Sequence, residues 1–389
     1  MLKFLFFFSF AIILYSYIGY GLFLYLLVKL RQVLKAGKTI ETQEEFLPEV
    51  TLIIAAYNEA GFIEQKIKNS LDLNYPPGRL HWIIVTDGST DDTAAITGNY
   101  PQIILLDQPE RAGKTSALNR AMRFVQTPYV IFSDANTILN SDAVNEIIQH
   151  YRDPGTGGVS GEKKIMSPQT GPGPAYGEGM YWKYESLLKK LDSSFYTVVG
   201  AAGELFSMRT ALYRQLPEGT ILDDFVQSLL LCSAGYRVQY EPRAIAMETG
   251  SASIREEEKR KIRIAAGAFQ AMRMLKGLLN VFRYPLLSFQ YVSHRVLRWT
   301  LCPVCLVLLY FSNAGLVISR SGEFFIVFFL GQTVFYAMAL LGWFFASRGI
   351  KYRILYIPYY FLFMNLSVFS GFSRYVRKKQ PVLWEKAAR

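Results

Sequence analysis

The 25 residues from Phe4 to Val28 contain no Asp, Glu, Lys or Arg. A helix needs about 20 apolar residues to cross a bilayer core, and secretory leaders have much shorter apolar runs with a small-residue cleavage site. A retained anchor is therefore expected. Three further charge-free runs follow late in the chain, at Trp299–Ser319, Phe324–Ser347 and Ile354–Ser373. Each is long enough to span, which predicts a polytopic membrane protein rather than a soluble one with buried core helices.

Charge placement agrees. Only 19% of residues are charged, and the net charge is +11, against about 25% charged in typical soluble domains. Lys29, Arg31, Lys35 and Lys38 follow the first anchor. Residues 251–298 are rich in Lys and Arg and read as basic amphipathic interfacial helices, with Ser293–Trp299 as the second such segment. The tail 374–389 carries six Lys/Arg against one Glu. Basic flanks mark the cytoplasmic side and meet anionic head groups. They border apolar spans and form no separate domain, so nucleic acid is not the expected partner. One anchor before a cytoplasmic domain and three spans after it would put the basic tail outside. Either one late segment, such as the run containing Pro358, fails to span fully, or the tail is an exception.

The expected organisation is an anchor at 1–30, one α/β domain at 31–250, interfacial helices at 251–298, spans at 299–373 and a basic tail at 374–389. Gly171-Pro172-Gly173-Pro174 marks a loop within the domain. The cysteines Cys232, Cys302 and Cys305 cannot build a disulfide framework, and no Cys/His spacing suits zinc.

Within the domain, short apolar runs alternate with helical patterns. Runs at 50–56, 82–85, 102–106 and 129–132 read as strands; 63–71, 115–125 and 225–233 read as helices. Such alternation predicts a largely parallel sheet with helices on both faces. Polar loops follow three of the runs: Tyr57-Asn58-Glu59, Asp87-Gly88-Ser89 and Asp134-Ala135-Asn136. Each alone is ordinary turn chemistry. Three carboxylate-bearing loops at strand ends predict a ligand site at one sheet edge. Arg111–Thr115 lacks the glycine a P-loop needs at position 108, which is Gln. The charge-free spans contain no buried ionisable pathway of the kind a transporter or channel requires.

The stretches IIAAYNEA (53–60), VTDGSTDDT (85–93), RAGKTSALNRAM (111–122), FSDANT (132–137), GAAGELFSMR (200–209) and ILDDFVQSLLLCSAGYRVQYEP (221–242) together resemble family-2 glycosyltransferases. The resemblance is to the membrane-embedded branch that includes hyaluronan, chitin, cellulose and poly-N-acetylglucosamine synthases, and it covers about 50–300. It implies a GT-A (Rossmann-like) cytosolic domain with a mostly parallel sheet, plus transmembrane and interfacial α-helices. It implies inverting transfer from a nucleoside-diphosphate sugar, expected to be UDP-linked, to a polysaccharide or a lipid-linked acceptor. The expected setting is the cytoplasmic face of a bacterial plasma membrane.

The resemblance also implies roles. Ala55, Tyr57, Glu59 and Asp87 match the donor's base and ribose contacts. Lys114, before a helix, is placed at the diphosphate, where lysines and helix N-termini are both favourable. Asp134 matches the first acid of a DxD signature for Mg2+ or Mn2+, with Asn136 as a neutral second ligand. Asp224 matches the general base and Asp223 its neighbour; helix capping by Asp223, or by Glu59 further up the chain, is the plainer alternative. Gly203 and Glu204 match the acceptor loop. Glu178, Trp182 and Glu185 share a helical spacing, with Trp182 a candidate sugar platform. In the family's QxxRW motif only Arg263 matches, as a phosphate contact; Arg260 and Ile264 replace Gln and Trp. That departure predicts short products, unless Trp182 or Trp299 supplies the missing aromatic face.

Overall fold

The structure is a computed structural model that describes residues 1–34, 46–166, 174–250, 253–348, 350 and 352–378, without the side chains of 174–178. Lys35, Lys38, the loop 171–173, the side chain of Glu178 and tail residues 379–389 lie outside the described residues. The expected charge-free runs fall in four helices: α1 (Leu2–Leu34), α7 (Leu301–Ile318), α8 (Glu323–Ser347) and α9 (Arg353–Val376). All four are long and apolar enough to cross a membrane. Pro358 lies inside α9.

Between α1 and α7 stands an eight-stranded sheet in the order β3-β2-β1-β4-β7-β6-β8-β5. Its strands are β1 (Val50–Ala56), β2 (Leu80–Thr86), β3 (Ile103–Leu106), β4 (Tyr129–Asp134), β5 (Ile138–Leu139), β6 (Thr156–Met166), β7 (Leu205–Arg209) and β8 (Arg237–Thr249). The four runs read from the sequence are β1 to β4, and they pair in parallel. The second half is mixed: β7 runs antiparallel to both β4 and β6, while β6 and β8 are parallel.

Side-chain alternation explains why β1, β2 and β4 are largely apolar on both faces. Ile53, Ala55, Ile83, Val85, Val130 and Phe132 face one core, with Ala117, Leu118 and Ala121 of α3 (Lys114–Ala121) packed on it. Leu52, Ile54, Ile84 and Ile131 face the other, covered by Ile63 and Ile67 of α2 (Ile63–Leu71). A parallel sheet covered on both faces must be built this way. The remaining principal helices are α4 (Pro174–Phe195), α5 (Asp223–Ser233) and α6 (Ile254–Met274).

The domain is bolted to the apolar helices by buried charge. Asp192 of α4, fully buried, accepts from Tyr20 of α1, from Gln290 at 3.0 Å and from His294 at 2.5 Å. Glu185 of α4 pairs with Arg295 and Arg298 at 2.8 Å each, and Arg298 also donates to the Ser16 carbonyl of α1. The expected interfacial segment Ser293–Trp299 thus turns His294 and Arg298 inwards, because two acids of α4 need partners there.

Candidate active site

Strand register sets the site. Ala55 lies beside Asp134 in the β1–β4 pair, Ala56 beside Thr86 in β1–β2, and Ser133 beside Leu205 in β4–β7. The loops after β1, β2 and β4 and the loop before β7 therefore meet at one edge. They open on a cavity of about 580 Å³. Ala55, Glu59, Lys114, Asp134 and Asn136 line it. Gly203, Glu204, Asp223, Asp224, Trp182 and Arg263 line it as well. The cavity continues to Tyr17 of α1 and to Ile357, Tyr360, Met364 and Val368 of α9.

Asp87 and Tyr57 stand apart from that lining. Asp87 is 2% exposed, and its carboxylate accepts from the backbone N–H of Ala112 at 2.8 Å and of Gly113 at 3.0 Å. It ties down the turn that launches α3; Gly113 sits at φ +93°, where a side chain would be strained. The Tyr57 ring lies 3.6 Å from the Arg111 guanidinium, a cation–π contact that joins the first loop to the same turn. The serine and threonines of VTDGSTDDT lash these loops together. Asn58 N–H donates to Ser89 Oγ at 3.1 Å, and Glu59 N–H to Thr93 Oγ1 at 2.8 Å. Glu59 supplies its backbone carbonyl to the start of α2, accepting from Ile63 at 2.8 Å. The side-chain cap considered for Glu59 is thus not what starts that helix.

At the centre, α5 begins one residue earlier than a capping Asp223 would require. Leu222 is the N-cap, with no side-chain cap, and both Asp223 and Asp224 lie in the first helical turn. Val226 and Leu229 bury the helix in the core, while Asp223 and Asp224 line the cavity. Burial first, and the Asp223 carboxylate second, push Asp224 up to about 7, against the pull of Lys114. Burial raises Asp223 also, in spite of Lys114. Lys114 Nζ pairs with the Asp134 carboxylate. Burial opposes its charge, but Asp134, Asp223 and Asp224 carry it above the ordinary lysine range. A Cβ at Gly203 would come within 3.2 Å of Asp224 Oδ2 and 3.3 Å of Lys114 Nζ. Glycine there keeps the two groups open to a third molecule.

Glu204 is less free than its place in the sequence suggested. Burial would raise its pKa, yet Lys163 of β6 holds it well below the usual carboxylate range. Lys163 also pairs with Glu248 of β8, and both side chains are essentially inaccessible, at 1% and 0% exposure. It stands 4.8 Å from the centre of the Trp182 ring. The sequence offered no signal for this lysine: Lys163-Lys164 reads as a solvated pair. Removing it takes the nearest cation from two buried carboxylates and leaves Arg260, 3.9 Å from Glu248, as the remaining one, so Lys163→Met is expected to cost about 3 kcal/mol of stability. A clearly lower melting temperature in detergent checks this; an unchanged one contradicts it. Ile264, Arg260, Trp182 and Trp299 all line the same cavity. Trp299 packs on Phe225, 5.2 Å between ring centres, directly after Asp224 in sequence.

A divalent ion has few ligands here. Among the described residues no group of three His, Cys, Asp or Glu could hold one. The chain offers the Asp134 carboxylate and the Asn136 amide oxygen. That set fits an ion whose shell is completed by phosphate oxygens, the usual manner of Mg2+ and its analogues.

Comparison with known proteins bears on the fold and the class of protein. The pattern described as Glycosyl transferase family 2 matches residues 51–217. A poly-beta-1,6-N-acetyl-D-glucosamine synthase of Staphylococcus aureus is 27% identical over 320 residues, 79% of this chain and 74% of its own. The synthase of the same name from Staphylococcus epidermidis is 24% identical over 244 residues, 60% of this chain and 58% of its own. Among solved structures, the mannosyltransferase PcManGT from Pyrobaculum calidifontis, in complex with GDP-Man and Mn2+, superposes with a TM-score of 0.70. It is 21% identical, and the match spans 97% of this chain and 100% of that one, which establishes a shared fold. The chain is a glycosyltransferase with a GT-A fold, and its residues 51–217 carry the family-2 pattern.

Proposed function

We propose that the protein transfers a sugar, with inversion, from a UDP-linked donor to the end of a polysaccharide acceptor at the cytoplasmic face of a bacterial plasma membrane. The observation that carries this reading is the meeting of Asp224, Lys114, Asp134 and Gly203 in one cavity that continues to α1 and α9. The named synthases, similar over most of the chain, favour a polysaccharide product. Basic residues beside the apolar helices favour a cytoplasmic domain.

In this reading the loop Ala55–Glu59 and Asp87, which holds the turn before α3, frame the donor's base and ribose. Lys114 leaves Asp134 for the diphosphate, where the α3 N-terminus adds favourable dipole. Arg263 faces the same charge. Asp134 and Asn136 would hold Mg2+ or Mn2+, which when bound would neutralise charge on the leaving diphosphate. Asp224 takes the proton from the acceptor hydroxyl as that oxygen attacks the anomeric carbon. Asp223 keeps the pair's proton affinity high. Gly203 lets the acceptor approach, and Trp182 and Trp299 flank it.

Trp182 and Trp299 both line the cavity, which favours the exception already attached to the expectation drawn from Ile264. In this reading an acceptor ring rests on Trp299, so product length depends on it rather than on position 264. Trp299→Ala is expected to shorten the product several-fold while initial UDP release stays within a few-fold of wild type. An unchanged length distribution contradicts this.

A lipid-linked acceptor is the second reading, favoured by Ile357, Met364 and Val368 of α9 on the cavity wall. Sizing the labelled product made from UDP-N-acetylglucosamine by purified membranes separates the two. Long carbohydrate supports the first; a single labelled sugar on an organic-extractable lipid supports the second.

A further inference from the structure

Lys66 lies fully inside the core of the sheet domain, with no ion-pair partner among the described residues. It sits on α2, at 0% exposure, beneath the turn that carries Asp134 and Asn136. Its side-chain nitrogen donates to Ser133 Oγ at 2.7 Å and to Thr137 Oγ1 at 3.2 Å. Each hydroxyl passes its own proton on. Thr137 Oγ1 donates to the Asp134 carbonyl at 2.8 Å, and Ser133 Oγ to the Glu204 carbonyl at 3.1 Å. One nitrogen thus grips both ends of the Asp134–Asn136 turn and, through Ser133, the loop before β7.

Lysine is almost never fully buried without a paired charge. A Leu or Met would fill this part of the core at lower cost, since desolvating an amino group is expensive. The hydrogen bonds answer what the amino group does there: it fixes a turn, and that turn bears the two oxygen ligands nearest the donor. We infer that Lys66 is a positioning residue of the donor site, holding the turn that presents Asp134 and Asn136 to a diphosphate and its divalent ion. The assignment rests on the donor reading given above. Groups that orient metal ligands from behind typically change metal affinity by about 10–100-fold when removed.

The test is calorimetric binding of UDP to the full chain in nanodiscs, with Mn2+ or with EDTA, for wild type, Lys66→Met and Thr137→Val. Lys66→Met is expected to keep its metal-free UDP affinity within about twofold, because Ala55 and the loops around Asp87 are untouched. The tightening brought by Mn2+ is expected to fall by about 10–100-fold. Thr137→Val removes one acceptor of the same nitrogen and is expected to move the same constant by a few-fold. It decides the matter alone if Lys66→Met does not fold. Unchanged Mn2+ dependence in the folded variants, or an equal loss with and without Mn2+, would overturn the assignment and leave Lys66 as core. Wild-type protein that binds no UDP under either condition would instead overturn the donor reading, and the assignment with it.

Discussion

Asp224→Asn is expected to lower kcat by about 10²–10⁴-fold, the range for loss of a general base, while UDP binding stays within a few-fold of wild type. The substitution keeps the shape of the first turn of α5 and removes only the proton acceptor. The base is well suited to neutral pH. Burial, then the Asp223 charge, lift its pKa to about 7, so it binds a proton firmly yet is substantially ionised there. The sign of the pH dependence follows. An inverting base works when deprotonated, so kcat/KM in wild type is expected to fall as pH drops through about 7 and to level off above it. Asp223→Asn removes the like charge, so the limb should move to lower pH. A pH-independent rate between 5 and 8, or a variant Asp224→Asn within a few-fold of wild type, contradicts the assignment.

Asp134→Ala is expected to have the second largest effect: transfer reduced by at least about 100-fold, since a direct ligand should matter no less than the groups behind it. Asp134 is also the partner of Lys114, so its loss unsettles the one lysine placed at the diphosphate. The two roles separate in binding. Loss of the ligand predicts that Mn2+ no longer tightens UDP. Loss of the lysine's partner predicts only a small change in EDTA. Asn136→Asp runs the opposite way, adding a charge to the shell and lowering the Mn2+ concentration needed for half activity. Full activity of wild type in excess EDTA, or of Asp134→Ala in Mn2+, contradicts the role.

Much of the domain was legible because buried parallel strands leave a plain trace: unbroken apolar runs that stop at polar loops. Val50–Ala56 and the loops at Asn58, Asp87 and Asp134 could be placed in order, and the register of β1 with β2 and β4 does bring those strand ends together. The four long helices were equally plain, since no charge interrupts them. What stayed hidden is polar and remote in sequence. Lys163, Glu204 and Glu248 meet across β6, the loop before β7 and β8, and nothing in Lys163-Lys164 marks one as buried. Glu185 reads only as part of a helical stripe with Trp182, and His294 and Arg298 only as an interfacial segment, because their partners lie on other helices. Lys66 sits in an ordinary amphipathic helix, and only Ser133 and Thr137 show why it points inward. The antiparallel entry of β7 was also unreadable, yet it is what sets Gly203 beside Asp224.

The central claim is that this cavity spends a nucleoside-diphosphate sugar, with Asp224 as the base. The most direct measurement is nucleoside-diphosphate release by the purified full chain in nanodiscs, supplied with Mn2+, oligosaccharide acceptor and a panel of UDP- and GDP-linked sugars. The account predicts sustained acceptor-dependent release from a UDP-sugar, lost in Asp224→Asn while that variant still binds UDP. Release from no donor in the panel, or equal release by wild type and Asp224→Asn, would contradict it.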